Sequence, residues 1–84
     1  MKDIEKITFD FSDKLHIAIG LNVKKIRESH NVSQLKLAHA IGYKSVSQIS
    51  SAEIYYNKIH FNIVQLAKIA YVLDVPITVF FEEI

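Results

Sequence analysis

The chain has 84 residues, of which half are hydrophobic, and a formal net charge of +1. A chain of this length forms one domain, and its lack of cysteine excludes disulfide bonds, thiolate metal sites and thiol nucleophiles. No apolar run approaches the roughly 20 residues that span a bilayer, and the mixed-charge start is unlike a signal peptide. The sequence therefore predicts a cytoplasmic protein.

The charge is distributed unevenly along the chain. Residues 14–68 carry eight lysine and arginine side chains against two glutamates, whereas both ends carry an excess of carboxylates. A basic segment between acidic ends favours a polyanionic partner, because partners respond to the local field. A solvated lysine surface accounts for the same pattern, so the charge alone leaves both interpretations open.

The first eleven residues are predicted to form an N-terminal arm, separate from a helical domain at 12–84. Apolar and polar residues alternate in the arm up to Phe11, which is the period of a strand. One strand is not stable by itself. We therefore expect the arm either to lie on the helical body through Ile7, Phe9 and Phe11, or to pair with its copy in a second subunit.

Apolar residues at helical spacing predict that the rest of the chain is all-α. Ser12, Ser33 and Asn62 are predicted N-caps, while Asn31 and Gly42 suit the left-handed backbone that ends a helix. The predicted helices are 12–29, 34–41, 45–55 and 63–73, with a short fifth helix at 76–81.

The third predicted helix differs from the others because it is poor in leucine and rich in serine. Ile49 and Ala52 share its apolar face, and serines occupy the opposite face. The outer face of such a helix is either a solvent-exposed surface with no binding role or a surface that recognises a ligand. Two helices joined by a glycine-bearing turn, with a polar second helix, form the arrangement that inserts a helix into the DNA major groove.

The residues themselves resemble a known family. The matching positions are Ser33-Gln34-Leu35-Lys36-Leu37-Ala38, Gly42, Ile49-Ser50, Glu53, Leu66-Ala67-Lys68-Ile69-Ala70 and Leu73-Asp74-Val75. In this order and spacing they resemble the Cro and phage-repressor helix-turn-helix family, also called Xre-like regulators, over about residues 20–81. The resemblance implies a five-helix, lambda-repressor-like fold. It also implies a dimeric transcription regulator, expected to be a repressor, that binds a two-fold operator through residues 34–55.

The resemblance also implies which residues contact DNA. Gln34 corresponds to a phosphate contact at the start of the second helix. Val46 suits a thymine methyl group, and serines can hydrogen-bond to either type of base pair. The full set of expected DNA contacts is Gln34, Lys44, Ser45, Val46, Ser47, Ser51, Asn57 and Lys58. No arginine is among them, which favours readout of DNA shape over direct reading of guanine.

Two further assignments follow from the family pattern. Arg27 and Glu53 correspond to an internal ion pair, although an arginine at this position also suits a phosphate contact. Tyr71, Phe81 and Ile84 are expected at a dimer interface, because the tail has more apolar side chains than one short helix can bury. Alternatively, Phe81 closes the core of its own subunit.

The sequence departs from the family pattern in three places. The segment from Gly42 to Ile49 is one residue longer than usual, so the base-facing positions could shift by one residue. No glycine follows Glu53, and Phe61 stands where the family often has proline.

An enzyme is the alternative of a different class, and its requirements are missing. The four histidines fit no metal-ligand spacing, and the two glycines form no phosphate-binding loop. We therefore expect no catalytic residue, metal, cofactor or small-molecule substrate. The stronger alternative is an antitoxin-like or adaptor protein, in which the same helical fold binds another protein.

Overall fold

The computed structural model describes residues 1–83. Four α-helices form the domain: α1 (Phe11–Ser29), α2 (Gln34–Ala40), α3 (Ser47–Glu53) and α4 (Ile63–Leu73). Two short 3₁₀ helices accompany them at Ile4–Lys6 and Ile77–Phe81, and Tyr56–Lys58 form a tight turn whose backbone at Asn57 is not helical. Residues 1–83 contain no strand, so the predicted all-α class is confirmed.

The structure of the single chain does not confirm a strand in the N-terminal arm. Ile4–Lys6 form a 3₁₀ turn, in which the Asp3 carboxylate accepts a hydrogen bond from the Glu5 N–H at 3.0 Å. This local hydrogen bond takes the place of the hydrogen bonds to a neighbouring strand, which an isolated strand lacks. Nor does the arm lie on the helical body, because Phe9 is fully exposed and Phe11 is half exposed.

The predicted short fifth helix at 76–81 is not confirmed as an α-helix, since Ile77–Phe81 form a 3₁₀ helix. The Val79 N–H donates to the Pro76 carbonyl, three residues back, at 3.2 Å. Five residues are too few for a stable α-helical ladder, and short 3₁₀ segments are common connectors.

Most helix ends follow the predicted capping residues. The Ser33 hydroxyl caps α2 by accepting from the Lys36 N–H, and Asn62 forms a reciprocal capping box with Gln65 at the start of α4. Asn31 has φ 57° just after α1, as expected of a left-handed stop. Ser12 is not a cap, because α1 already begins at Phe11.

A single hydrophobic core lies between the helices. Its largest fully buried apolar side chains are Val23, Leu37, Ile49, Leu66, Ile69 and Phe80. Phe80, rather than Phe81, closes this core, since Phe80 is 0% exposed and Phe81 is 46% exposed. Asn22 fastens the tail to α1 by donating to the carbonyls of Phe80 at 3.0 Å and Glu82 at 2.6 Å.

Helix α1 passes very close to the C-terminal end of α3 at Gly20. A Cβ atom on Gly20 would lie 2.7 Å from the carbonyl oxygens of both Ala52 and Glu53. The missing side chain thus allows a backbone contact that places the inner face of α3 against α1. Across the described chain, no helix is long and apolar enough to cross a membrane.

Candidate nucleic-acid interface

Helices α2 and α3 meet through small and fully buried side chains. Ala38 of α2 and Ala52 of α3 are both fully buried, and Leu37 and Ile49 fill the space beside them. The turn between the helices depends on Gly42, whose φ of +93° is a conformation that side chains disfavour. A bond from the Tyr43 N–H to the Ala38 carbonyl, 2.8 Å long, then closes the end of α2.

The bounds predicted for α3 need correction at both ends. The helix begins at Ser47 instead of residue 45, because the additional residue after Gly42 is accommodated in the turn. It ends at Glu53 instead of residue 55, because Tyr55 adopts a left-handed backbone with φ 57°. Lys44 and Ser45 therefore lie in the turn, and Val46 occupies the N-cap position.

The face of α3 that points away from the core is polar and accessible at its N-terminal end. Ser47 is exposed, and its hydroxyl lies 3.0 Å from that of Ser45 in the turn. Lys44 is also exposed, whereas Val46 and Ser51 are half-buried. The structure thus groups Lys44, Ser45, Val46 and Ser47 at one edge of the domain, with Ser51 one turn further along α3.

A shallow cleft of about 510 Å³ lies beside this edge. Its lining residues are Gly42, Tyr43, Lys44, Ser45, Gln48 and Gln65. Sequence reasoning missed Gln48, which is half-buried in α3 and brings an amide to the cleft. A side-chain amide can pair with both polar atoms of an adenine edge. Gln48 is the one amide side chain in α3, and this feature would have identified it.

The Arg27–Glu53 pair joins α1 to the end of α3 inside the domain. The Arg27 Nε donates to Glu53 Oε2 at 2.7 Å, and its Nη2 donates to Oε1 at 3.0 Å. Its Nη1 reaches the Val32 carbonyl at 2.8 Å. The bonds to Glu53 raise the pKa of Arg27 above its ordinary value, against the opposing effect of burial. Arg27 is only 7% exposed, so its guanidinium group is used mainly within the domain.

Gln34 belongs to the same network. Its Nε2 donates to Glu53 Oε1 at 2.9 Å, and the side chain is half-buried at the start of α2. A side-chain amide carries two N–H donors. One of them therefore remains for a group outside the domain.

Asn57 and Lys58 lie in the segment that follows α3. Both are exposed, and both have a left-handed backbone, with φ 50° and 62°. The Lys58 Nζ lies 3.9 Å from the Asp13 carboxylate, but its side chain is mostly exposed. A pair this exposed contributes little, so the ammonium group is free to meet another anion.

The residues expected at a dimer interface differ in how exposed they are. Tyr71 is 87% exposed on α4. It borders an apolar groove of about 660 Å³ along that helix, which Val64, Ala67 and Val72 also line. Phe81 is half exposed, and Ile84 lies outside the described residues.

Two crossed helices joined by a glycine turn, with a polar outer face on the second helix, define a helix-turn-helix protein. A protein-family model for this domain, HTH_3 or helix-turn-helix, matches residues 23–80. The chain belongs to this helix-turn-helix family of the Cro/C1 type. It is therefore a DNA-binding transcription regulator, and its family is not a catalytic one. A comparison with curated proteins found no match.

Proposed function

We propose that this protein represses transcription by binding a two-fold operator as a homodimer, with α3 of each subunit in the major groove. The observation that carries the proposal is the exposed polar edge formed by the turn and the start of α3. The buried Arg27–Glu53 pair holds the other end of α3 against α1. The proposed base-reading face is thus held in place by a residue pair that is not part of it.

The proposed base contacts lie on α3 and at its start. Ser47 and Ser51 offer hydroxyl groups, and Val46 offers methyl groups to thymine. We add Gln48 to this set, because its amide lies in the cleft beside Ser45. Hydroxyl and amide groups give modest discrimination between sites, so DNA shape is expected to contribute as well.

The proposed backbone contacts surround this reading face. Lys44 and Ser45 precede α3, and Asn57 and Lys58 follow it, so phosphates on both sides of the groove have partners. Gln34 joins them through the amide N–H that Glu53 does not use. These contacts fix the orientation of the protein on the duplex but carry no sequence information.

The homodimer is proposed from the unpartnered apolar surface. Tyr71 and Phe81 are too exposed for side chains that serve only the core of their own subunit. A two-fold contact that buries them would space two copies of α3 by about one helical turn, roughly 34–36 Å. Repression then follows from occupancy, since a dimer across two half-sites excludes other proteins from that DNA.

An adaptor or antitoxin-like protein is the second candidate. The observation that favours it is the apolar groove along α4, because such a groove also suits a segment of another protein. The two functions differ in their response to salt. Phosphate contacts release counterions and therefore weaken steeply as salt rises, whereas an apolar interface does not.

A salt titration with a mixed-sequence duplex tests the proposed function. We expect the logarithm of affinity to fall linearly with the logarithm of salt concentration, with a slope of about −0.9 per phosphate contacted. Lys58→Ala should weaken binding equally on all sequences and make the slope shallower by about 1. Lys2→Ala, in the arm, is the matched control and should leave the slope unchanged. Absence of binding even at low salt would refute the DNA-binding mode proposed here.

A further inference from the structure

Four side chains connect the N-terminal half of α1 to the loop at 54–59, and we call them the clamp: Asp13, His16, Tyr55 and His60. The Tyr55 hydroxyl donates to Asp13 Oδ1 at 2.6 Å. The His16 ring stacks on the His60 ring, with centroids 3.7 Å apart and planes inclined by 20°. The same His16 ring lies 5.7 Å from the centroid of the Tyr55 ring. The Tyr55–Asp13 bond thus holds the start of the loop, and the His16–His60 stack holds His60, the residue just after the loop.

The loop between these two contacts has an unfavourable backbone. Tyr55, Asn57 and Lys58 all have positive φ values, between 50° and 62°, and none of them is glycine. A left-handed conformation is costly for Tyr55 and Lys58, and less so for Asn57, and it persists in such residues only where the surroundings impose it. Within the segment, the Lys58 N–H donates to the Tyr55 carbonyl and the Ile59 N–H to the Tyr56 carbonyl, and His60 Nδ1 lies 2.9 Å from the Lys58 carbonyl oxygen. The contacts that tie this segment to other elements are those of the clamp with α1 and that of Ile59 with the core, and the clamp contacts lie on either side of the left-handed residues Asn57 and Lys58.

We infer that the clamp is a positioning device, which fixes the loop so that Asn57 and Lys58 are already aligned for the DNA backbone. This inference rests on the proposed function, because it assigns these two residues to phosphate. Without the clamp, only a fraction of the molecules would present the loop in the competent shape. The apparent affinity would then fall by that fraction, although the contacts finally made would be the same.

The histidine pair also makes the clamp sensitive to pH. His16 Nδ1 is buried without a hydrogen-bond partner, and the groups that face the ring are Asp13 on its own helix and Tyr55, Lys58 and His60 on the other side. Burial, and then the neighbouring His60, lower the pKa of His16, while Asp13 opposes them. Because packing lowers the pKa of His16, the packed arrangement is more stable when the His16 ring is neutral than when it is protonated. The packing is therefore complete above the ordinary histidine value of about 6.5 and weakens as the pH falls below it.

Tyr55→Phe tests the clamp, because it removes the hydroxyl that binds Asp13 and keeps the ring. Tyr56→Phe is the matched control, since Tyr56 is the exposed neighbour in the same loop. We expect Tyr55→Phe to lower the affinity for DNA about three- to tenfold with an unchanged salt slope. The control should bind as the unmodified protein does.

A double-mutant cycle separates positioning from general stability. In a protein that carries Asn57→Ala and Lys58→Ala, adding Tyr55→Phe should lower affinity by less than about twofold, because the residues that it positions are gone. An equal loss in both backgrounds would overturn the inference. Protection factors of the amides at 57–59 in the free protein give a second measurement. They should fall in Tyr55→Phe but not in Tyr56→Phe, and unchanged values would also overturn the inference.

The pH dependence gives an independent readout. Between pH 7.5 and about 5.5, the protection factors at 57–59 should fall in the unmodified protein. They should stay nearly constant in His16→Phe, which keeps a stacked ring that cannot take up a proton. His39→Gln, an exposed histidine on α2, should behave as the unmodified protein does. Equal pH profiles for all three would refute the role of His16. If no protein binds DNA, the proposed function fails, while these protection factors still decide whether the clamp holds the loop.

Discussion

At the scale of single residues, the charges of this domain divide into one buried pair and a set of exposed ones. Arg27 and Glu53 use their hydrogen-bonding groups inside the protein, whereas the side chains of Lys44 and Lys58 are exposed. A buried pair contributes little over an apolar pair of the same volume, but the loss of one partner is costly. The pair therefore acts as a structural link between α1 and α3.

Arg27→Met should destabilise the domain by about 3–5 kcal/mol, because it leaves the Glu53 carboxylate buried without a cation. Denaturant unfolding of the free protein measures this change. Lys25→Met, on the exposed side of the same helix, is the control and should change the stability by less than about 0.5 kcal/mol. Replacing both partners, with Arg27→Met and Glu53→Leu, should recover much of the loss. A loss below about 1 kcal/mol for Arg27→Met alone would contradict the structural role.

Individual contacts were only partly predictable from the sequence. The family pattern indicated that Arg27 and Glu53 could pair, and the structure places Arg27 Nε 2.7 Å from Glu53 Oε2. It did not indicate that Gln34 also binds Glu53, because an amide side chain takes whichever partner the tertiary fold brings near. The Tyr55–Asp13 bond was missed for the same reason, since 42 positions separate its two residues.

At the scale of the elements, the helices were predicted well where apolar spacing and capping residues agree. The start of α4 is an example, because Asn62 and Gln65 form their capping box in sequence order. The bounds of α3 were predicted poorly, since the sequence showed one additional residue after Gly42 but not where it is accommodated, and the left-handed Tyr55 has no local signal. The strand in the arm is not confirmed, because the alternation of the arm has the strand period but a strand needs a partner that the single chain lacks.

The close approach of α1 and α3 gives a prediction at this scale. Alanine favours a helix by about 1 kcal/mol over glycine. Gly20→Ala should nevertheless destabilise the domain by about 1–3 kcal/mol, because the added Cβ meets backbone oxygens that cannot move aside independently. Thermal or denaturant unfolding measures the change.

Gly42→Ala is the comparison for Gly20→Ala. Nothing lies within 4 Å of a Cβ atom at this position, so its cost should be that of the left-handed backbone alone, about 1–2 kcal/mol. A Gly20→Ala protein more stable than the unmodified one would mean that the two helices do not approach as described.

At the scale of the whole molecule, the domain presents a polar edge at the start of α3, while Tyr71 and the groove on α4 remain apolar and uncovered. The all-α class and the helix-turn-helix were predictable from one chain, because both depend on local periodicity and short spacings. The dimer was not, because it depends on the fit between two surfaces. It therefore remains a proposal that rests on exposed Tyr71 and Phe81.

The central claim is that the outer face of α3 reads DNA, and selection of bound duplexes from a random pool tests it most directly. We predict an enriched sequence with two related half-sites, their centres about 10 base pairs apart and related by two-fold symmetry. The same selection with Ser47→Ala and Ser51→Ala combined should give a weaker consensus, with discrimination reduced by about 1–3 kcal/mol. A consensus unchanged by those substitutions, or a bound pool as random as the starting one, would contradict the claim.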